Sequence, residues 1–288
     1  MKKLLLFPSL LLLASLATAQ QSGKPKTSTY ELDEALQQKL ISVEIKGTGG
    51  HFGNCLRVVC KNLKGKFFRL RIPQGQFMLP ADSTFQTLVV AEEHMMALNV
   101  KSPVELTLKT YCAQAGDRSP LTGSIFAVGA LAPEQLRNLL KFIVEKGKVD
   151  SHEAQSAVWC VTNGNSVADI QDPALAKFTA ELLGKPVPGY KIKRKTVEIV
   201  PGERATLGKA FIVDGNYQYV LDKDEKLLMN LLDSELKLVK QISKEELMKA
   251  GEHRSSFHLE VWNLTPGKYT VRIETKGGRI IRDIEVEF

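Results

Sequence analysis

Beyond its first twenty residues, the 288-residue chain has no apolar run near the ~20 residues a membrane-spanning helix needs. No later segment is therefore expected to cross a bilayer. Short enzyme signatures are missing too. There is no H-E-x-x-H for zinc, no G-x-S-x-G nucleophile turn and no complete phosphate loop. GKPVPG at 184–189 has the first spacing of such a loop but not the Lys-Ser/Thr that must follow. GTGGHFG at 47–53 puts Phe52 where the last glycine of G-x-G-x-x-G belongs, and a strand pattern follows it, so it reads as a turn between strands. Asp222 and Asp224 lack the glycine and glutamate of a calcium loop. The five histidines, His51, His94, His152, His253 and His258, show no ligand spacing. Neither a metal nor a cofactor is expected. The net charge of +7 is spread among acids, with one cluster at Lys191, Lys193, Arg194 and Lys195. No nucleic-acid motif accompanies it, so nucleic acid is not an expected partner.

The amino terminus carries a clear pattern. Lys2 and Lys3 precede an apolar run from Leu4 to Leu16, broken by Pro8, Ser9 and Ser15, and ATA at 17–19 supplies small-x-small. Residues 1–19 read as a cleavable secretory signal peptide, with the mature chain starting at Gln20. No cysteine sits at the cleavage site, so a lipid-modified terminus is not expected. The expected location is the periplasm, the outer surface or the extracellular space.

Export makes the four cysteines, Cys55, Cys60, Cys112 and Cys160, disulfide candidates. Cys55 and Cys60 lie five residues apart in one apparent strand, ~16 Å, beyond the ~7 Å a bridge spans. If two bridges form, each of these pairs with Cys112 or Cys160. At least one disulfide is expected, with Cys60 bonded to Cys160 as the favoured pair.

Residues 20–28 are polar and read as a disordered leader. Ser28 to Glu31 has the spacing of a capping box before a short helix carrying Leu32, Leu36 and Leu40. Strand patterns follow near 42–46, 55–61, 66–72, 85–91, 95–100 and 103–112. After a loop over 113–129, three helices are expected: one from Pro133, one after Ser151, ended by Asn163-Gly164, and one over 173–183. The Gly/Pro-rich 184–189 is the clearest linker. Beyond it, eight short strand patterns near 190–200, 206–213, 217–222, 226–233, 235–242, 255–261, 268–275 and 278–287 suggest an immunoglobulin-like β-sandwich. The expected organisation is an α+β domain over 29–186, antiparallel strands first and helices after, then an all-β Ig-like sandwich over 187–288.

Two resemblances refine this. LTPGKYTVRI at 264–273, then KGGRI at 276–280 and a final strand, resembles the ending of the Ig-like module of the flagellar hook-capping family and of the C-terminal sorting module of type IX secretion. That likeness, over about 205–288, implies the sandwich and a docking or sorting role. TYCAQ at 110–114 followed by EAQSAVW at 153–159 resembles bacterial surface thioester domains, over about 105–163. There, a cysteine after an aromatic residue at a strand end faces a helical Q-x-x-aliphatic-W glutamine. The resemblance implies a Cys112–Gln155 thioester, with Tyr111 and Trp159 shielding it.

The leading expectation is an exported, non-catalytic envelope or extracellular interaction protein with a C-terminal docking or sorting module. The alternative is a thioester adhesin that bonds to partner amines through Cys112 and Gln155. The nearest nucleophile pairing for an enzyme is a cysteine with His51 or His152, and no motif places either as a base.

Overall fold

The protein is described by a computed structural model covering residues 27–198 and 200–288. The signal peptide at 1–19 and nearly all of the leader at 20–28 lie outside the described residues. The chain is mostly β, arranged in several sheets. It begins with β1 (Thr29–Glu31) and α1 (Leu32–Gln37), then β2 (Ile41–Gly47), β3 (Phe52–Asn62), β4 (Phe68–Ile72), β5 (Gln76–Pro80), β6 (Leu88–Val90), β7 (His94–Leu98), β8 (Val104–Cys112) and β9 (Ile125–Leu131). Three helices follow, α2 (Glu134–Glu145), α3 (His152–Asn163) and α4 (Pro173–Leu182). Then come β10 (Tyr190–Arg194), β11 (Ala210–Leu221), β12 (Glu225–Leu232), β13 (Leu238–Met248), β14 (Gly251–Glu260), β15 (Lys268–Thr275) and β16 (Ile280–Glu287).

Six strands close a barrel in the order β2-β3-β8-β6-β5-β9. Its interior holds Leu56, Val58, Cys60, Met78, Leu88 and Leu108, all essentially solvent-free. Closure depends on two strands without clear sequence signals, β5 and β9. Residues 125–131 fall in and beside the stretch expected to be a loop, yet β9 pairs with both β2 and β5. Its IFAVGAL sequence is apolar on both faces and leaves Ile125 62% exposed, so it lacks the in–out alternation that marks a strand. The expected capping box does not form. Residues Thr29–Glu31 instead pair in parallel with β4, and the Glu31 carboxylate is taken by Arg71 Nε at 2.6 Å. Ion pairing across the strands wins over capping, and α1 has no side-chain cap.

The three helices lie against the outside of the barrel, in a second core that includes Val89, Tyr111, Leu139, Leu140 and Ile143. Their ends follow the sequence. Ser151 Oγ accepts from Ala154 N at 3.1 Å, Gly164 closes α3 at φ +75°, and Asp172 accepts from Leu175 N at 2.9 Å ahead of Pro173.

Two sheets, β10-β11-β14 and β13-β12-β15-β16, enclose a third core with Val213, Leu231, Phe257 and Val271. Two strands expected at 206–213 and 217–222 are one, β11. Gly215 at its middle lies opposite Phe257, whose ring fills the space a side chain would take. Tyr269 near the start of β15 donates its hydroxyl to the Thr265 carbonyl at 2.7 Å and stacks on Phe288 at 4.9 Å.

The strand expected to run over 190–200 stops at Arg194. The chain then leaves the sheet as a strap that crosses to the barrel before β11. Gly116 N donates to Ala205 O at 2.9 Å, Ala205 N to Asp117 O at 3.0 Å, and Ser119 N to Glu203 O at 2.7 Å. Ala205 enters the barrel core with Leu207 packed beside it. The strap closes on itself at Gly208, where any Cβ would collide with the Lys195 carbonyl. Arg194 also reaches Asp169 in the turn after α3, at 2.6 Å.

The expected disulfide is corrected: all four cysteines are free and buried. Cys60 sits in the barrel core. Cys160 sits in the helical core, its thiol donating to Ser166 O at 3.4 Å. Cys112 is out of reach of both β3 cysteines. Across β8, Cys55 falls between Lys109 and Leu108, and Cys60 faces Val104. At ~3.3 Å per residue, Cys112 is displaced about 10 Å or more along the ladder from either one. Among the described residues no helix is long and apolar enough to cross a membrane.

Candidate functional site

β8 ends at Cys112 between two neighbours. On one side Cys112 pairs with Leu88 of β6, and on the other its N–H donates to His51 O at 2.9 Å. The first turn of α3, set by the Ser151 cap, carries Gln155 over this strand end. Gln155 is 2% exposed, and a buried carboxamide must find partners for both of its ends. It finds both on one residue. Oε1 accepts from Cys112 N at 2.9 Å, and Nε2 donates to Cys112 O at 2.9 Å. The Cys112 N–H is thus shared between the His51 carbonyl and the Gln155 side chain.

Trp159 follows one helical turn later. Its ring joins the barrel core, and its Nε1 is buried with no partner among the described residues. His51 lies nearly parallel to that ring, 6.1 Å away at 19°, and meets Phe52 edge-on at 4.9 Å. Phe52 meets His152 edge-on at 4.8 Å. An open cleft of about 690 Å³ lies beside them, reached by His51, His152, Gln155 and Trp159 from one side. The strap residues Thr206, Leu207 and Gly208 reach it from the other.

Burial sets the protonation states. The Cys112 thiol is pushed well up by desolvation, with Cys55 nearby adding to the shift. His51 is pushed down to about 4, first by burial and then by the facing His152. At neutral pH the site holds a thiol, a carboxamide and a neutral imidazole. The Cys112 N–H lies against the Gln155 carbonyl oxygen, where it polarises the carbon a nucleophile would attack. On the cleft rim, Lys193 is paired with Asp214 at 2.8 Å, and Arg194 with the nearly buried Asp169.

Of the residues singled out by sequence, the fold brings Cys112, Gln155 and Trp159 together. Tyr111 points the other way, into the helical core, where its hydroxyl donates to Val149 O at 2.6 Å. Alternation along β8 requires this, since Tyr111 and Cys112 face opposite sides of the sheet. The sequence offers His51 or His152 as partner to a cysteine without saying which cysteine, and it does not pair the strap with this site. The GTGGHFG turn gives no sign that it abuts Cys112, although Gln155 and Trp159 share one helix face by their i,i+4 spacing.

No protein-family profile and no curated protein matches the chain. Among solved structures there is a likeness to a beta-glucosidase from Kluyveromyces marxianus, at 8% identity and a TM-score of 0.21, over 81% of this chain and 44% of that one. The chain therefore spans less than half of that enzyme. Another likeness is to the CBM51-2 and INT domains of Clostridium perfringens ZmpB, at 10% identity and a TM-score of 0.16, over 86% and 80% of the two chains. At these TM-scores neither likeness establishes a shared fold.

Proposed function

We propose that this is an exported surface or extracellular interaction protein that captures amine-bearing partners covalently, through an internal thioester between Cys112 and Gln155. The observation that carries this reading is the buried two-way pairing of the Gln155 carboxamide with the Cys112 backbone. The Cys112 thiol adds to the Gln155 carboxamide carbon, the C–N bond breaks, and ammonia leaves with the thiol proton. The resulting acyl thioester is an electrophile at the wall of a cleft. A partner amine that attacks it forms an amide with the Gln155 acyl group and releases the Cys112 thiol. Four free cysteines support the reading, because no disulfide competes for Cys112.

The α+β unit at 29–186 would carry the reactive site. The unit at 187–288 is proposed as an Ig-like docking, spacer or sorting module. Its three- and four-stranded sheets support this, as does the Tyr269-to-Thr265 hydrogen bond, which resembles the tyrosine corner of such sandwiches. A second reading keeps the partner non-covalent and makes Gln155 a clip between α3 and the barrel. It is favoured by the fact that both ends of the carboxamide are already satisfied.

Proteolysis of the exported protein under mildly acidic, unreduced conditions separates the two. A Cys112 peptide joined to the Gln155 peptide, lighter by one ammonia, is expected. Two separate peptides with an intact thiol and an intact carboxamide would remove the covalent reading.

A further inference from the structure

We infer that His51 is the residue that takes the proton from the attacking amine and delivers it to the Cys112 sulfur, an assignment that rests on the thioester reading above. The geometry places His51 at the reacting pair twice over. Its carbonyl holds the Cys112 N–H at 2.9 Å, which fixes the His51 backbone beside the strand end. Its ring lies 6.1 Å from Trp159 and nearly parallel to it, and Trp159 sits one helical turn beyond Gln155. The imidazole is therefore held between Phe52 of β3 and Trp159 on the helix that carries the acyl group, while its backbone meets the strand that carries the thiol. It borders the same cleft as Gln155.

The charged groups around it are poor alternatives. From β10, Lys193 and Arg194 are engaged by carboxylates, and Lys195 follows them on the cleft border. Asp169 behind Arg194 is occupied in that pair. Glu153 on α3 and Glu198 on the strap also border the cleft, and His152 faces His51 across Phe52. Burial and His152 keep the His51 ring uncharged, so it holds a free lone pair throughout the neutral range.

The step balances. The amine nitrogen bonds to the Gln155 carbonyl carbon as the C–S bond breaks and its electron pair goes to sulfur. The amine's proton passes to His51 and from there to the sulfur. The products are a secondary amide, a Cys112 thiol and a neutral His51.

The test follows methylamine addition to the full-length exported protein by mass spectrometry, together with the amount of Cys112–Gln155 linked peptide. In His51→Gln the linked peptide should persist while the rate of addition at neutral pH falls about 100-fold, within the range of general acid–base contributions. Added imidazole should restore part of that rate. His253→Gln should stay within about twofold of the wild type, since His253 lies on β14 and does not border the cleft. Wild-type rates in His51→Gln would overturn the assignment and leave the thioester standing. A wild-type protein that takes up no methylamine would overturn both. Should His51→Gln fail to fold, the wild-type pH profile with hydroxylamine decides. Corrected for free nucleophile, the rate should fall as the pH drops towards 4, and a flat profile through that range overturns the assignment.

Discussion

The carboxamide of Gln155 and the backbone of Cys112 exchange two hydrogen bonds of 2.9 Å each, at a place where both residues are almost wholly removed from solvent. This pairing ties the first turn of α3 to the last residue of β8, so it joins the helical layer to the barrel. Its loss has a structural cost in the chain whose Gln155 carboxamide is intact, since thioester formation itself expels Nε2. Gln155→Ala leaves the Cys112 carbonyl without a partner while its N–H keeps His51. A loss of about 1–3 kcal/mol in urea unfolding is expected, the penalty for a stranded buried polar group. A change within about 0.5 kcal/mol, the range of surface substitutions, would mean the pairing does not persist in solution.

Stability should depend on pH through His51. Its ring stays neutral in the folded protein down to about pH 4, whereas the unfolded chain takes up that proton below about 6.5. Between those values the unfolded state binds more protons, so stability falls as the pH drops from 6.5 towards 4. The contribution reaches up to about 3 kcal/mol at the acid end. Urea titrations across this window should show a shallower acid loss in His51→Gln than in the wild type. Parallel curves would refute the assigned protonation state.

Tyr269→Phe removes one hydroxyl that donates to Thr265 O and leaves the ring stacked on Phe288. A cost of about 1 kcal/mol is expected from one lost hydrogen bond. If residues 187–288 unfold as their own unit, calorimetry should show one of two transitions move while the other stays. Movement of the whole profile together would mean the strap couples the two parts into one cooperative unit.

Free thiols distinguish the cysteine states. With no reductant, the denatured protein should give three titratable thiols before amine treatment and four after it, because only Cys112 is acylated. A disulfide between Cys60 and Cys160 would instead leave two fewer thiols than the free-cysteine state, and amine treatment would not recover them.

Much of the fold could be read from local chemistry. The α3 boundaries follow from Ser151 and Gly164, and α4 begins at Asp172-Pro173 as those residues require. The contact between Cys112 and Gln155 is legible only through the resemblance of TYCAQ at 110–114 and EAQSAVW at 153–159 to surface thioester domains. What sequence could not show is set by long-range contacts. β9 is apolar on both sides and identifies itself as a strand only through β2 and β5. The disulfide expectation rested on export and an even cysteine count, and the fold overrules it by burying Cys60 in the barrel core and Cys160 in the helical core, all four thiols free. The strap over 195–198 and 200–209 carries turn residues like any loop, and only its backbone bonds to 116–119 show where it goes. His51 sits in a glycine-rich turn whose neighbour, Cys112, is 61 residues away in the chain.

The covalent reading is tested most directly by the intact mass of the exported protein before and after methylamine. The mass deficit alone does not decide, since an amino-terminal Gln20 cyclises with the same loss of one ammonia, about 17 Da. Methylamine separates the two, because it opens a thioester and leaves a cyclised terminus unchanged. The expected result is a gain of about 31 Da, localised to Gln155 and absent from both Cys112→Ala and Gln155→Ala. A wild-type mass unchanged by methylamine, with Gln155 recovered as an unmodified carboxamide, would contradict it.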